Sequence, residues 1–331
     1  MERLETTLCG RRVNPFYGTA AADYTRVIYN GDEIEDYRIF SDLSKQGLLG
    51  FVETKTETID RREGNPQPRF AWTQGFEQGI QSMGLPCVGI YNYPYEKCNV
   101  PTITSFAGKN KEESKVMTQY LDEKAKKNKN IIAADPNGAC PNVPGCPSCY
   151  KEDFLEHLKV VRENTKLPVL AKIGYFPEEE KLIQFGKKVD DIGIDGLIAI
   201  NSPPGMGIDA ETGKSVVKKY GGVFGRGLKP LALRTINILH ENTDLKNLVG
   251  VGGIYEPRDA IEFLLAGANA VQLSSRLVKE ACPKDNENDV RREGTLKSWV
   301  YFLKEFKNST ESFMKRKRKN SIEDFIGKLE K

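Results

Sequence analysis

Short apolar segments alternate with amphipathic helical segments along most of this 331-residue chain. Segments such as "NIIAAD", "LPVLAKIG", "DGLIAINS" and "AVQLSS" resemble strands that are buried on both faces of a parallel sheet. In "YKEDFLEHLKVVRENT", Phe154, Leu158 and Val161 recur at helical spacing. About eight strands with helices between most of them are most economically arranged as a single (β/α)8 barrel domain over residues 1–331. A doubly wound open sheet is the main alternative, and its dinucleotide-binding form is weakened because no strand is followed by G-x-G-x-x-G.

Composition and charge limit the partners that we expect. Hydrophobic residues make up 39% of the chain and charged residues 29%, which is typical of a globular protein with a sizeable core. The net charge of +3 gives no strong attraction to nucleic acid or to a membrane, and no apolar run reaches the roughly 18 residues of a membrane span. The N-terminal "MERLETTLCGRRVNPF" carries charges where a signal peptide needs an apolar stretch, so we expect a cytoplasmic protein. Both histidines, His157 and His240, lie in predicted helices, so we expect neither a histidine base nor a histidine metal site.

Polar, small or cationic residues follow the predicted strands. In a (β/α)8 barrel the carboxyl ends of the strands meet at one mouth, where the active site lies. Lys55, Lys172, Asn137 and Asn201 would all point into that mouth. Any one of these residues could simply cap a helix, but together they favour a ligand site. The other residues at strand ends are Asn14, Thr19, Ser105, Ser202, Gly252, Gly253, Ser274 and Ser275.

The last two strands predict a phosphate site. "GVGGI" places two glycines before a helix, and "QLSSR" places two hydroxyls before the next one. Barrel phosphate sites are commonly built from the loops that follow strands 7 and 8. Either loop alone could be ordinary turn chemistry, so the prediction depends on the pair. The glycine-rich segment 203–229 is predicted to be an active-site loop.

The segment "NGACPNVPGCPSC" at 137–149 holds three of the seven cysteines. Its one C-x-x-C pair lacks the matching second pair that is usual for zinc or iron–sulfur sites. An odd number of widely spread cysteines favours free thiols over a disulfide framework. We therefore predict no metal, although a metal site stays open as the minor alternative. The segment is interpreted as a catalytic loop at about 137–150 that presents Cys140 as a single thiol, with Cys146 and Cys149 on its outer part.

Several motifs together carry a resemblance to a known family. They are "KTETIDRREGNPQPRF" at 55–70, "SMGLP" at 82–86, "CPNVPG" at 140–145, "YGGVFGRGLKPLAL" at 220–233, "GVGGI" at 250–254, "AVQLSS" at 270–275 and "SIEDFIGKLE" at 321–330. With these motifs in order, the chain resembles the class 1A dihydroorotate dehydrogenases from about Asn14 to its C-terminus. Members of that family are cytosolic homodimers with FMN in each barrel, and they oxidise dihydroorotate to orotate and pass the electrons to fumarate. The resemblance implies the same fold, cofactor, reaction and homodimer here.

The resemblance also implies a role for each matching residue. Cys140 would be the catalytic base. The substrate would be bound by Lys55, Gln81, Met83, Gly84, Leu85, Asn137, Asn142, Asn201 and Ser202. FMN would be bound by Thr19, Ala20, Lys55, Thr56, Asn137, Lys172, Asn201, Gly222, Gly252, Gly253, Ser274 and Ser275.

These residue types suit the implied chemistry. A thiol with a pKa of about 8.5 can act as a base near neutral pH, whereas a serine would need an activating partner. Lys172 beside the flavin N1–C2 edge would offset the negative charge of the reduced ring. The asparagine amides offer both a donor and an acceptor to a pyrimidine ring.

Several positions depart from the family pattern near substrate and flavin. Gln81 stands where the family has asparagine, Ala21 stands where it has glycine, and Ser274 replaces a glycine at the phosphate. Asp135 and Pro136 are unusual within a strand. Two alternatives therefore stay open: a related FMN enzyme that acts on another dihydropyrimidine or an unsaturated acid, and a diverged FMN-binding barrel without turnover. Gln81 best separates the first alternative from dihydroorotate oxidation, and the retained set speaks against the second; that set is Lys55, Asn137, Cys140, Asn142, Lys172 and Asn201.

Overall fold

Eight parallel strands form the centre of the computed structural model, which describes residues 2–21, 36–72, 77–139, 148–217, 220–281 and 292–330. The strands are β1 Tyr17–Thr19, β2 Phe51–Glu53, β3 Thr102–Phe106, β4 Ile131–Pro136, β5 Leu170–Ile173, β6 Gly196–Ala199, β7 Asn247–Val251 and β8 Ala270–Leu273. Their order in the sheet is β4-β3-β2-β1-β8-β7-β6-β5. Parallel bridges from Ala134 to Val169 and from Asn137 to Lys172 join β4 to β5 and close the ring. The predicted (β/α)8 barrel is confirmed.

Helices follow most of the strands and cover the barrel. They are α1 Asp36–Lys45, α2 Lys111–Lys127, α3 Glu152–Glu163, α4 Glu179–Asp191, α5 Lys229–Asn242, α6 Pro257–Leu265, α7 Ser275–Ala281 and α8 Arg292–Arg316. Short 3-10 helices span Glu2–Leu4, Tyr95–Lys97, Arg226–Leu228 and Ile322–Phe325. Helix α3 buries Phe154, Leu158 and Val161, as their spacing predicts. In the described parts of the chain, no helix combines the length and the apolar character that crossing a membrane requires.

The barrel interior is apolar in its middle layer. Buried side chains from seven of the strands form one cluster: Phe51, Ile103, Ala133, Leu170, Ile198, Val249 and Ala270. Because side chains alternate along a strand, positions two residues further on face the same interior, closer to the carboxyl ends. Those positions are polar on five strands, where they hold Glu53, Ser105, Asp135, Lys172 and Gln272. The barrel therefore has an apolar middle and a polar layer next to its mouth.

An antiparallel hairpin closes the opposite end of the barrel. Its strands, Thr6–Leu8 and Arg11–Val13, place Leu8 and Val13 in the interior cluster. The hairpin is fixed at the amino ends of β7 and β8, where the Cys9 amide donates to Asn247 Oδ1 at 2.8 Å and the Thr6 hydroxyl donates to the Asn269 carbonyl at 3.0 Å. The amino end of the barrel is thus filled by side chains of a hairpin that precedes the eight barrel strands.

Two short parts of the segment predicted to be a long loop, 203–229, belong to a small antiparallel sheet. The strand order in this sheet is Pro204–Gly205, Gly221–Gly225, Gln78–Gln81 and Phe70–Trp72, and Ile208–Asp209 pairs separately with Lys214–Ser215. Phe224 packs against Phe70 and Trp72, with ring centroids 4.8 and 4.9 Å apart. The segment still connects β6 to α5 at the carboxyl end of the barrel, where an active-site loop is predicted. Its pairing with Gln78–Gln81 could not be predicted, because that strand lies far away in sequence and local composition carries no signal for the pairing.

Candidate active site

Three predicted ligand-binding residues form one hydrogen-bonded group at the carboxyl end of the barrel. Asn137 directly follows β4, and its Nδ2 donates to Thr56 Oγ1 at 3.0 Å. The Thr56 hydroxyl lies 2.9 Å from that of Ser105. Asn201 Nδ2 lies 3.4 Å from Asn137 Oδ1 and also donates to the Ala139 carbonyl at 3.2 Å. These contacts connect four strands and hold the Asn137 amide in one orientation, as a preformed polar site requires.

Lys172 is buried, and its ammonium is paired inside the barrel. The Nζ atom lies 3.0 Å from Glu53 Oε1 and 3.3 Å from Glu53 Oε2. Asp135 lies beside this pair, and its Oδ1 accepts a hydrogen bond from the Lys172 backbone amide at 2.9 Å. Burial and the neighbouring charge of Glu53 raise the pKa of Asp135 well above its usual value. The contact between Lys172 and flavin stays a prediction, and the structure adds two carboxyl groups to its surroundings.

The sequence does not predict the roles of Glu53 and Asp135, although one signal points to them. Each is an acidic residue within a strand that is otherwise apolar, in "FVE" and in "IIAADP". A charge in such a strand is costly to bury unless it is paired. An unexplained charge inside a predicted core strand therefore marks a side chain whose partner is distant in sequence.

The turn that contains "SMGLP" is brought against the strand of Gly222. Gln81 pairs in register with Gly222, and a Cβ at Gly222 would lie 2.6 Å from Ser202 Cβ and 2.7 Å from Gln81 Nε2. The Gln81 side-chain oxygen accepts a hydrogen bond from the Met83 amide at 3.1 Å. The structure thus places predicted substrate residues of two segments, Gln81 and Ser202, next to Gly222, a predicted FMN contact, and it uses Gln81 to hold the turn at 82–85.

The glycine pair after β7 adopts the backbone that the phosphate prediction requires. Gly252 and Gly253 have φ angles of +121° and +75°, and a Cβ at Gly253 would lie 2.6 Å from the backbone nitrogen of Lys229. Positive φ angles at close backbone approach favour glycine over every other residue. Ser274 and Ser275 follow β8, so both loops lie at the carboxyl ends of neighbouring strands.

Two arginines that the sequence does not single out lie near these loops. The Arg226 guanidinium stacks 4.7 Å from the ring centroid of Tyr255, and the Tyr255 hydroxyl donates to the Glu77 carbonyl at 3.3 Å. The Nε atoms of Arg226 and Arg276 are buried without a hydrogen-bond partner among the described residues. Each guanidinium also faces a carboxylate, with Arg226 Nη1 3.6 Å from Glu256 Oε1 and Arg276 Nη2 2.5 Å from Glu280 Oε1, so both charges are paired.

Several buried polar atoms on β1 and β8 have no partner in the described part of the chain. They are Thr19 Oγ1, Gln272 Oε1 and Gln272 Nε2. Thr19 is 0% exposed and Gln272 is 1% exposed, and the two strands are neighbours, with Gly18 opposite Gln272 and Thr19 opposite Leu273. Buried polar atoms are nearly always hydrogen-bonded. Gln272 lies on the inward face of β8, two residues after Ala270, so its unpaired amide fits a polar ligand inside the mouth of the barrel, whereas Thr19, opposite Leu273, lies on the other face of the sheet.

The remaining predicted residues belong to the cysteine loop and its surroundings. Cys140, Asn142 and Cys146 lie outside the described residues, and Lys55 is half-buried. The expectation that Cys149 lies on the outer part of the loop is wrong: the residue is buried, because its amide donates to the Gly138 carbonyl at 2.7 Å and its Sγ accepts from the Gly174 amide at 3.4 Å. Burial raises the pKa of Cys149 to about 12.

The free thiols expected from the odd cysteine count are confirmed where the structure describes them. They are Cys9, Cys87, Cys98 and Cys149.

Comparisons with known proteins agree with this arrangement. The family model described as "Dihydroorotate dehydrogenase" matches residues 30–285. A dihydroorotate dehydrogenase B (NAD(+)) catalytic subunit of Desulforamulus reducens is 32% identical over 249 residues, which are 73% of this chain and 79% of that protein. The corresponding subunit of a Geobacillus species is 34% identical over 248 residues, 72% of this chain and 76% of that protein.

A solved structure shows the same fold. The crystal structure of a DHODH from Eimeria tenella in complex with ferulenol superposes with a TM-score of 0.73 at 16% identity, and the match covers 98% of this chain and 88% of that one. The curated relatives are NAD(+)-linked catalytic subunits, so the comparisons confirm the family and not the fumarate-dependent class that the motifs predicted. The matched length and the sequence identities show that the chain belongs to the dihydroorotate dehydrogenase family.

Proposed function

We propose that this chain oxidises dihydroorotate to orotate with FMN, a reaction of pyrimidine biosynthesis. The observation that carries the proposal is the hydrogen-bonded group of Thr56, Asn137 and Asn201 at the carboxyl ends of the strands, in a chain of this family. With these contacts made, Asn137 keeps one amide N–H and Asn201 keeps one lone pair on its amide oxygen, a donor and an acceptor that suit the N–H and C=O groups of the substrate ring. The three residues lie just past the ends of β2, β4 and β6 and are hydrogen-bonded to one another, so these polar groups are in place before a ligand binds.

The residues that would hold FMN lie in two groups. Gln272 brings an unpaired buried amide to the inside of the barrel at β8, where it would meet the polar edge of the ring. The loops of Gly252–Gly253 and Ser274–Ser275 would take the phosphate, as phosphate sites in barrels of this type do. When bound, FMN supplies an acceptor for the electron pair that leaves the substrate.

The chain itself must supply a base. Oxidation of a C–C bond to C=C removes a proton from one carbon, and it removes a hydrogen together with an electron pair from the adjacent carbon. We assign the proton to the Cys140 thiol, on the resemblance of "CPNVPG" to the family motif. Cys149 does not compete for this role, because its thiol is buried and has a pKa of about 12.

Two electron acceptors follow from two different observations. The motif resemblance favours fumarate, which would bind at the same site. The similarity to catalytic subunits of NAD(+)-linked enzymes favours NAD(+), with a second protein that would accept the electrons. A measurement of the mass of the purified protein would distinguish the homodimer that the resemblance implies from a complex with a partner subunit.

An anaerobic titration tests the proposal. The purified protein, loaded with FMN, should lose flavin absorbance when dihydroorotate is added. Recovery on adding fumarate would favour the first acceptor, and recovery only with NAD(+) and a co-purified partner would favour the second. An FMN-loaded protein that dihydroorotate does not bleach would overturn the proposed reaction.

A further inference from the structure

Three ionisable side chains form a buried cluster directly beneath the candidate site, which we call the barrel charge cluster: Glu53, Asp135 and Lys172. The side chains of Lys172 and Glu53 are 5% and 0% exposed, and Asp135 is 0% exposed. They come from β2, β4 and β5, and each occupies the first inward position above the apolar middle layer. The cluster is therefore part of the barrel core and is not a surface ion pair.

The cluster is joined to the ligand-binding group by short connections. Asn137 lies opposite Lys172 in the bridge that closes the barrel. Asp135 lies opposite Ser105 in the β3–β4 register, and the Ser105 hydroxyl is 2.9 Å from that of Thr56. Lys172 is itself a predicted FMN contact, and Glu53 and Asp135 each accept a hydrogen bond from it. At such separations in a water-poor interior, an uncompensated charge acts strongly on the site.

The charges within the cluster balance if one carboxyl is neutral. Lys172 contributes one positive charge, and the two oxygens of Glu53 lie within 3.3 Å of it. A second ionised carboxyl would leave a net negative charge in the core. Asp135 Oδ2 has no hydrogen-bond partner among the described residues, which an ionised oxygen in a core would need. Burial and the charge of Glu53 favour the protonated form of Asp135 by raising its pKa.

We infer that Glu53 is a positioning residue that holds the Lys172 ammonium in the barrel core and cancels its charge, so that the barrel charge cluster beneath the electron-accepting cofactor carries no net charge. This inference rests on the proposed FMN site. It assigns to Glu53, rather than to Lys172 alone, control over how easily the cofactor accepts electrons. Asp135 is neutral in this arrangement and serves as the matched control for a buried carboxyl that carries no charge.

The test measures the midpoint potential of bound FMN in the holoenzyme, by anaerobic reductive titration against a reference dye. Glu53→Gln leaves the Lys172 charge uncompensated, so the cofactor should become easier to reduce. We expect a shift of at least tenfold in the ratio of reduced to oxidised cofactor, which is about 30 mV for a two-electron couple. Asp135→Asn should shift the ratio by less than that. The double variant Glu53→Gln/Lys172→Gln removes both charges together and should return the potential toward the wild-type value.

Three results would overturn the inference: an unchanged or lower potential in Glu53→Gln, the same shift in Asp135→Asn, or no recovery in the double variant. A purely structural role for Glu53 predicts no such recovery.

A second measurement does not depend on FMN. In urea unfolding of the cofactor-free protein, Glu53→Gln should lower the midpoint more than Asp135→Asn does, and the double variant should regain most of the loss. If Glu53→Gln does not fold, folding of the double variant supports the inference, and failure of both variants refutes it. If the wild type binds no FMN, the proposed function fails, while the unfolding series still decides whether Glu53 compensates Lys172.

Discussion

Replacing Gly253 by alanine tests whether the loop after β7 is built around a close backbone approach. Gly253 has a φ of +75°, where an L-residue costs about 1–2 kcal/mol. The added Cβ would also lie 2.6 Å from the Lys229 nitrogen and 2.7 Å from the Arg226 carbonyl oxygen. Both atoms belong to the backbone, so the loop must shift, at a further cost of about 1–3 kcal/mol. We expect Gly253→Ala to lose about 2–5 kcal/mol of unfolding free energy.

Gly193 provides a matched control for this substitution. Its φ is +81°, and a Cβ there would have no heavy atom within 4 Å. Gly193→Ala should therefore lose only the conformational part, about 1–2 kcal/mol. Urea unfolding of the FMN-free protein measures both values, and quenching of flavin fluorescence on binding measures the dissociation constant for FMN. We expect weaker FMN binding in Gly253→Ala alone. Equal losses of stability in the two variants would refute the argument from backbone contact, and unchanged FMN binding in Gly253→Ala would refute the phosphate assignment.

Three further predictions concern the charge cluster, the base and the substrate turn. Because the pKa of Asp135 is raised in the folded protein, its folded form keeps a proton that the unfolded chain releases above its ordinary pKa of 3.8. The unfolding free energy of the wild type should therefore fall relative to Asp135→Asn as pH rises from 3.8 toward the folded pKa, by up to about 1.4 kcal/mol per pH unit; parallel curves in a urea series at several pH values would contradict this. Cys140→Ser should bind FMN and dihydroorotate almost normally but reduce flavin much more slowly, with its remaining activity shifted toward alkaline pH. The reduction rate of Cys146→Ser should stay within a few-fold of wild type. Stopped-flow flavin reduction across pH compares the two variants, and an inactive Cys146→Ser with an active Cys140→Ser would reverse the assignment. Gln81→Asn should keep or raise kcat/KM for dihydroorotate, and steady-state assays that instead show a loss of roughly 1–3 kcal/mol of transition-state binding would indicate a pocket built for another substrate.

The barrel could be predicted because its signal is local. Gly196–Ala199 is apolar on both faces, Leu170–Ile173 is apolar except for Lys172, and each is followed by an element with helical spacing or a turn signal. The polar residues of the mouth could be predicted for the same reason, since Asn137 directly follows β4, Lys172 lies near the end of β5 and Asn201 lies two residues past β6. Fold class and the composition of the mouth therefore depend on features within a few residues of each other.

The remaining features depend on contacts between distant segments. Lys172 and Glu53 are 119 residues apart, so no window of sequence contains the pair, and the lysine alone was assigned to the ligand. The strand Gly221–Gly225 has an ordinary glycine-rich composition and becomes a strand only because Gln78–Gln81 lies beside it. Cys149 was placed outside for a similar reason, since its neighbours in sequence are turn-forming and its buried contacts come from Gly138 and Gly174.

The hairpin that fills the amino end of the barrel has a kinetic consequence. With Leu8 and Val13 packed into the interior cluster, a ligand held by Asn137 and Asn201 can leave only by the opening through which it entered. A small electron acceptor could bind only after orotate has left the site. The two half-reactions would then follow a ping-pong mechanism, in which each reactant inhibits binding of the other. A partner protein that accepts electrons without entering the opening would not compete with orotate for the site. The pattern of mutual inhibition in steady-state kinetics would thus report the route that the electrons take out of the barrel.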